Sequence, residues 1–177
     1  FSVSCGRCRN CLGGRPQICE EAPKARAKGE LISGGSRLRD SDGATLRHQA
    51  GVSCFAEYSV VNRGSVVVID DSIPAEDAAI FGCAVMTGVG ALVNTARISP
   101  GQSVAIFGMG GVGLCGLMGA KVSGAGTIIA VDLDDRKLAK AKALGATHVF
   151  NASDPELLTK VRDLTGGGVD IAVELAG

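Results

Sequence analysis

The second half of the chain alternates short apolar runs with longer runs of helical character. The apolar runs SVAIFG (103–108), TIIAVD (127–132), THVFN (147–151) and VDIAVELAG (169–177) have the length and β-branched content of strands. The intervening segments GLCGLMGAKVSG, DDRKLAKAKALGA and DPELLTKVRDLTG are typical of helices. Continuous apolar runs favour strands that are buried on both faces. The pattern therefore predicts an α/β fold, a doubly wound parallel sheet of four strands joined by right-handed helical crossovers.

The first half of the chain has a different pattern. Residues 20–50 are polar and punctuated by glycine, which predicts loops. Two β-rich runs, CFAEYSVVN and SVVVID, predict strands between Cys54 and Asp70. AEDAAIFG, preceded by Pro74, and GVGALVNTA predict two helices. We therefore expect a partial, mostly-β domain over residues 1–83 and a partial α/β domain over residues 84–177.

Composition and charge exclude several classes of protein. The 18 basic residues balance the 18 acidic ones, which argues against nucleic acid or an anionic membrane surface as the main partner. We find no apolar run near the 18 or so residues that span a bilayer, and no signal peptide pattern, so we expect a cytoplasmic protein. The seven cysteines then indicate a reducing compartment, where thiols bind metal or are buried.

A glycine motif, GMGGVG, follows the first predicted strand of the second half. Its GxGxxG glycines are Gly108, Gly110 and Gly113. They would permit a tight turn, a close approach of the backbone to a pyrophosphate and close helix packing, respectively. The motif alone is weak evidence, but here it follows a strand and begins a helix. Leu114 and Cys115 stand where a kinase-type phosphate loop needs Lys and Ser or Thr, which excludes nucleotide hydrolysis.

An acidic residue ends the next predicted strand. Asp132 lies about 20 residues beyond the glycine motif, as expected for a carboxylate that accepts hydrogen bonds from the adenosine ribose. It would repel a 2′-phosphate and so favours NAD over NADP. A second interpretation is that Asp132 only caps the helix that starts near Asp134.

Four cysteines lie close together near the start of the sequence, with the spacing C-x2-C-x2-C-x7-C. Four thiolates on one short loop can surround a zinc ion, and such a closed shell is structural. A bacterial ferredoxin motif has a different last gap and a proline after the final cysteine. Four cysteines could also form a disulfide framework, a redox pair or a nucleic-acid-binding zinc knuckle. We favour Zn²⁺ bound by Cys5, Cys8, Cys11 and Cys19.

The cysteine motif followed by the glycine motif resembles the zinc-dependent medium-chain alcohol dehydrogenases. CGRCRNCLGGRPQIC is similar to their structural-zinc lobe, SCFAEYSVV to the strand that follows, and FGCAVMTGVGAL to their GC…TG.GA segment. SVAIFGMGGVGL and IIAVDLDDRKLAKAKALGA resemble their NAD-binding half, and the similarity covers essentially the whole chain. The resemblance implies a Rossmann-type NAD-binding domain preceded by part of a GroES-like catalytic domain.

The resemblance also implies roles for individual residues. Cys83 would be a ligand of the catalytic zinc, although a cysteine at a helix end is more often only a small buried residue. Thr87 would lie against the nicotinamide ring, and Lys137 would reach the adenosine ribose beside Asp132. Gly111 and Val112 would line the pyrophosphate turn. Cys54 and Cys115 match no ligand position, and we expect both to be core thiols. His48 and His148 match no ligand position either.

The remaining catalytic-zinc ligands of the family and its proton relay precede the cysteine lobe, so the sequence resembles an internal fragment that is inactive alone. For the intact parent we expect oxidation of an alcohol to an aldehyde or ketone, with hydride transfer to NAD. The parent would be a homodimer or homotetramer. Two further hypotheses stay open: a zinc-ribbon-like binding module, and an NADPH-dependent reductase of the same superfamily without a catalytic zinc.

Overall fold

The computed structural model describes residues 3–177, which divide into two compact units. The first ends at Ile73 and the second spans Pro74–Gly177. The boundary predicted after residue 83 lies inside the first helical stretch of the second unit. Each unit has its own core, and each is described separately below.

The second unit is built on a four-stranded parallel sheet. Its strands are β1 (Ser103–Phe107), β2 (Thr127–Asp132), β3 (His148–Asn151) and β4 (Ile171–Glu174), in the order β3-β2-β1-β4. Pairing is in register from Ser103↔Thr127 between β1 and β2, and from Val104↔Ile171 between β1 and β4. Consecutive strands β1, β2 and β3 run outward on one side, and the chain then returns to place β4 on the other side of β1. The predicted doubly wound parallel sheet is confirmed.

Side chains on both faces of the central strands are buried, as the continuous apolar runs predicted. Val104 and Ile106 of β1 face one core, which also contains Leu117 and Leu138. Ala105 and the β2 residues Ile129 and Val131 face a second core on the opposite side. The helices that complete these layers are α5 (Gly111–Val122), α6 (Asp135–Leu144) and α7 (Leu157–Thr165). Each fully buried Leu or Ile contributes roughly 1.5–3 kcal/mol to stability.

A long helical stretch, Ala75–Ala96, precedes β1. It consists of α3 (Ala75–Ala78), a π-helical turn (Phe81–Val85), α4 (Met86–Gly90) and a second π-helical turn (Ala91–Ala96). The sequence predicted two separate helices here. The glycines do not interrupt the helix, because Gly88 is buried at a close contact with α5, and added packing outweighs the weak helix propensity of glycine.

This stretch also corrects an expectation about membranes. With 22 residues and a mean hydropathy of 1.6, it is long and apolar enough to cross a membrane by length and composition alone. Mostly buried core helices of soluble proteins meet the same criteria, whereas 11% of this apolar window is buried within the described residues. One side of this helix packs against α5, where Leu92 is fully buried. Length and composition alone are therefore weak evidence that this helix spans a membrane.

The first unit contains short helices and loops. They are α1 (Arg9–Leu12), α2 (Glu21–Lys28) and 3₁₀ turns at Pro16–Ile18, Gln49–Gly51 and Arg63–Ser65. Its small core consists of Val3, Cys19 and Ala22, against which the other three clustered cysteines pack. So few apolar side chains provide little stability, and a unit of this kind usually needs a metal or disulfide.

The strands predicted between Cys54 and Asp70 are not present as a ladder. Within the described part of the first unit, the bridge Arg39↔Thr45 is the single β-pairing. Val66 has extended backbone angles, but an extended segment becomes a strand only when a neighbour pairs with its N–H and C=O groups. Phe55, Val67 and Val68 are accordingly exposed. The amino-acid composition of this segment favours strands, but within the described residues no neighbouring segment pairs with it.

Candidate functional site

The four clustered cysteines converge as the spacing predicted. Their sulfur atoms all lie within 4.8 Å of one another, with 3.5 Å between Cys8 and Cys11 and 4.0 Å for both Cys5–Cys11 and Cys8–Cys19. A tetrahedral zinc ion with Zn–S bonds of about 2.3 Å separates its sulfur ligands by about 3.8 Å. All four thiols are free, so the arrangement is not a disulfide framework. The cluster therefore fits a four-thiolate zinc site.

Backbone N–H groups surround the same sulfur atoms. Cys5 N–H donates to Cys19 Sγ over 3.3 Å, and Cys8 N–H donates to Cys5 Sγ over 3.3 Å. Hydrogen bonds from the N–H groups of Cys11 and Glu20 lower the pKa of the Cys8 thiol to about 6. Loss of hydration and a hydrogen bond with Cys8 raise the pKa of Cys11 to about 11. The cluster thus stabilises thiolate at part of its sulfur atoms, and thiolate is the form that binds metal.

Three glycines of the GxGxxG motif occupy three different environments. Gly108 has φ +89°, and an added Cβ would lie 2.6 Å from the backbone N of Ala176. A Cβ on Gly113 would lie 1.7 Å from Gly108 O. A Cβ on Gly110 would meet nothing within 4 Å. The turn and the helix packing therefore require glycine, while the space in front of Gly110 is open, as a pyrophosphate cradle demands.

Asp132 ends β2 and contacts the glycine loop directly. Its Oδ2 accepts a hydrogen bond from Met109 N–H over 2.6 Å and lies 3.5 Å from Lys137 Nζ. Its Oδ1 accepts from Asp134 N–H over 2.9 Å. Burial raises the pKa of Asp132, but these N–H groups and Lys137 outweigh it and hold the pKa below its usual value. The side chain is therefore an anion at neutral pH.

The cap of the next helix is a different residue. Asp134 is the N-cap of α6, and its side chain accepts a hydrogen bond from Arg136 N–H over 2.9 Å. Asp132 supports this turn only through the Asp134 N–H. The interpretation of Asp132 as a simple helix cap is therefore wrong, because that role belongs to Asp134.

A cavity of about 770 Å³ lies along the carboxyl ends of β1 and β2. Its walls include Gly108, Asp132 and Lys137, three of the residues that the sequence associated with the cofactor. Ligands of open α/β sheets bind at this edge, at the point where the strand order reverses. Here that point is β1, which lies between β2 and β4. The volume is within the range of small-molecule and cofactor sites.

Cys83 and Thr87 lie on the long helical stretch beside the glycine loop. Ala84 Cβ is 3.9 Å from where a Cβ of Gly111 would lie, and a Cβ on Gly88 would lie 2.2 Å from Val112 O. Cys83 and Thr87 directly precede these two contact residues, and both are exposed. Among residues 3–177, the one group of three or more metal-ligating side chains is the four-cysteine cluster. The assignment of Cys83 as a zinc ligand stays a prediction.

The two cysteines that match no ligand position of the family differ in exposure. Cys115 is buried, as predicted. Cys54 is exposed, so the assignment of Cys54 as a core thiol is wrong.

Sequence reasoning missed the Met109–Asp132 hydrogen bond and the close approach of Gly88 to α5. Both depend on residues far apart in the chain. The signal available for the second was a glycine within an otherwise apolar helix.

The parallel order β3-β2-β1-β4, with a glycine loop after β1 and an acidic residue after β2, defines a Rossmann-type α/β unit. A four-thiol metal cluster precedes it. A family model described as zinc-binding dehydrogenase matches residues 111–177.

Solved structures match nearly the whole chain. An alcohol dehydrogenase zinc-binding domain protein from Burkholderia ambifaria is 37% identical with a TM-score of 0.91. Benzyl alcohol dehydrogenase from Acinetobacter calcoaceticus is 36% identical with a TM-score of 0.83. Each match covers 98% of this chain and 47% of the other, so the chain spans about half the length of these relatives. The chain belongs to the zinc-dependent medium-chain alcohol dehydrogenase family, as its motifs indicated.

Proposed function

We propose that this chain is part of an NAD-dependent, zinc-dependent dehydrogenase that oxidises a small alcohol to an aldehyde or ketone. The observation that carries the proposal is the position of Asp132, which is ionised, hydrogen-bonded to the glycine loop and on the wall of the 770 Å³ cavity. When bound, NAD supplies a hydride acceptor and a catalytic zinc supplies Lewis acidity toward the alcohol oxygen. The residues of this chain bind and orient these groups.

Cofactor binding would use the loop, the acid and the lysine together. The first turn of α5 has N–H groups without intrahelical partners and the positive end of the helix dipole, both of which attract a pyrophosphate. Asp132 would accept hydrogen bonds from the adenosine ribose hydroxyls with its remaining lone pairs. Lys137, whose ammonium group lies 3.5 Å from that carboxylate, would contact the same sugar. A 2′-phosphate would meet the Asp132 anion, so we propose NAD as the cofactor.

The cysteines would have two separate roles. Cys5, Cys8, Cys11 and Cys19 would hold a structural zinc, since they fill a closed tetrahedral shell. Cys83 would contribute one thiolate to the catalytic zinc, and Thr87 would position the nicotinamide ring. The position of their helix, whose neighbouring residues contact the start of α5, supports this assignment. As further proposals, the full protein is cytoplasmic and homo-oligomeric, and it does not bind nucleic acid or membranes.

Calorimetric titration of the full-length protein with NAD and NADP tests the cofactor assignment. We expect NAD to bind at least about tenfold more tightly, and Asp132→Asn to weaken NAD binding about tenfold or more, because a hydrogen bond to a charged group is worth about 1.5–3 kcal/mol. Asp163→Asn, on α7, serves as the matched control and should leave both affinities unchanged. Equal affinities for NAD and NADP in the wild-type protein would reject the assignment.

Metal analysis of the same protein tests the zinc assignments. Two zinc ions per chain are expected, and Cys83→Ser should leave one. A wild-type content of one zinc, lost in Cys11→Ser but not in Cys83→Ser, would instead indicate a reductase without a catalytic zinc.

A further inference from the structure

Arg136 is an unexpected cation on the wall of the cavity at the carboxyl ends of β1 and β2. This wall carries two basic side chains, Arg136 and Lys137, beside three acidic ones, Asp132, Asp134 and Asp135. In Rossmann-type sites an arginine near the ribose accommodates the 2′-phosphate of NADP, whereas an acid about 20 residues after the glycine motif accepts the ribose hydroxyls of NAD. The cavity therefore contains a feature of each kind of site, and the contacts of Arg136 decide which one prevails.

The two cations have different partners. Lys137 Nζ lies 3.5 Å from Asp132 Oδ2, on the carboxylate proposed to bind the ribose. Arg136 is paired with Asp134: its Nε donates to Oδ1 over 3.2 Å and its Nη2 donates to Oδ2 over 2.9 Å. A bidentate pair fixes the plane of the guanidinium and occupies one of its two-donor edges. Arg136 is therefore oriented toward Asp134, and its charge is balanced there.

Asp134 is itself held in place to make this pair. Its Oδ1 also accepts from the Arg136 backbone N–H over 2.9 Å, and its own N–H donates to Asp132 Oδ1 over 2.9 Å. The side chain and backbone N–H of Arg136 lower the pKa of Asp134 to about 2, so the carboxylate is ionised at neutral pH. The neighbouring Asp135 has another partner, since its Oδ1 accepts from Asn151 Nδ2 over 2.8 Å. Within the described wall of the cavity, Asp134 is thus the acid that pairs with Arg136.

We propose that Asp134 is a second specificity-determining residue, which withholds Arg136 from a 2′-phosphate by pairing with it. This role rests on the proposed function, because it concerns the same nucleotide site. Asp132 disfavours NADP directly, by placing an anion beside the ribose, whereas Asp134 acts through Arg136 and is a positioning residue. The Arg136 side chain is 91% exposed, and exposed ion pairs are weak. Loss of the Asp134 charge would therefore release the guanidinium to a phosphate, which it matches in charge and geometry.

Calorimetric titration of the zinc-loaded full-length protein with NAD and NADP tests this role, and the readout is the ratio of the dissociation constants, NADP over NAD. Asp134→Asn keeps an N-cap oxygen at the start of α6 but removes the charge that pairs with Arg136. We expect the ratio to fall about fivefold or more, because a charge-assisted hydrogen bond to the 2′-phosphate becomes available. Asp135→Asn removes the same charge one residue away and should lower the ratio less than about twofold, since salt screens exposed charges.

A double substitution separates the release of Arg136 from a simple loss of negative charge. In an Arg136→Gln background, Asp134→Asn should change the ratio less than about twofold, because no guanidinium remains to be released. Asp134→Ser caps the helix but is too short for a bidentate pair, so it gives a second result if Asp134→Asn does not fold. Circular dichroism of each variant measures folding.

Three results would overturn this role of Asp134 while leaving the NAD assignment in place. They are an unchanged ratio in Asp134→Asn, an equal fall in Asp135→Asn, and a fall that persists in the Arg136→Gln background. A ratio near one in the wild-type protein would overturn both proposals, since NADP would then not be excluded at all. A fall that requires both a neutral residue 134 and the guanidinium of Arg136 supports the ion pair as a determinant separate from Asp132.

Discussion

Replacing Gly113 by alanine tests the close packing between the glycine loop and α5. The new Cβ would lie 1.7 Å from Gly108 O and 2.8 Å from Gly108 C. Both atoms belong to the backbone, so no side chain can move aside, and either the loop or the first turn of α5 must shift. Overpacking of this kind costs about 1–3 kcal/mol and occasionally more. We expect a loss near the upper end, about 3 kcal/mol, because the overlap is with backbone atoms on both sides of the contact.

Gly110→Ala, at the preceding glycine of the GxGxxG motif, is the matched control. Its Cβ would meet nothing within 4 Å, and Gly110 has φ −77°, which alanine adopts without strain. Alanine is a poorer N-cap than glycine by a few tenths of a kcal/mol or more, while its smaller unfolded-state entropy returns about 0.4–1 kcal/mol. These terms offset, so we expect stability within about 0.5 kcal/mol of the wild type. NAD binding should nevertheless fall, because the methyl group fills the space proposed for the pyrophosphate.

Urea unfolding followed by circular dichroism measures both variants, and calorimetry measures NAD affinity. The unfolding midpoint should decrease for Gly113→Ala with an unchanged slope, and stay constant for Gly110→Ala. A Gly113→Ala variant within about 1 kcal/mol of the wild type would refute the packing argument. Equal losses of stability in the two variants would refute the distinction between packed and open glycines.

Three further predictions concern other contacts. Gly88→Ala should destabilise the second unit by about 1–3 kcal/mol in urea unfolding, since its Cβ would lie 2.2 Å from Val112 O, whereas Gly82→Ala, in open space, should gain up to about 1 kcal/mol. Hydrogen bonds from Ser103 Oγ and N–H to Asp170 lower its pKa below 3.8, so this link stabilises the fold above pH 3.8 and is lost as the pH falls below it. Acid unfolding of Asp170→Asn should therefore show a weaker pH dependence below about pH 4, and an unchanged profile would contradict the assignment. Zinc removal by a chelator, or Cys11→Ser, should unfold the first unit in proteolysis assays, while Cys54→Ser should not.

The βαβ half of the fold follows from local sequence because each element is specified by residues close to it. Buried strands such as SVAIF are continuous and apolar, and short loops and the handedness of crossovers leave little topological freedom. The glycine motif also marked the end of β1 and the start of α5. The same reasoning wrongly predicted strands in Cys54–Asp70, because strand formation also depends on a pairing partner, which local composition does not specify. Gly88 was missed for a related reason, since its contact joins distant parts of the chain.

The candidate site was predictable in its residues but not in how they depend on one another. The motif identified Asp132 and the glycine loop as two separate contributors to cofactor binding. In the structure the Met109 N–H donates to Asp132 Oδ2, so the carboxylate also holds the loop that precedes the open space at Gly110. A ribose bound to Asp132 and a pyrophosphate bound to the loop would therefore be positioned by the same carboxylate. Replacing Asp132 should then weaken binding of both halves of the cofactor, so that AMP and NAD lose affinity together, and a variant that lost only its preference against NADP would show that the two contacts are independent.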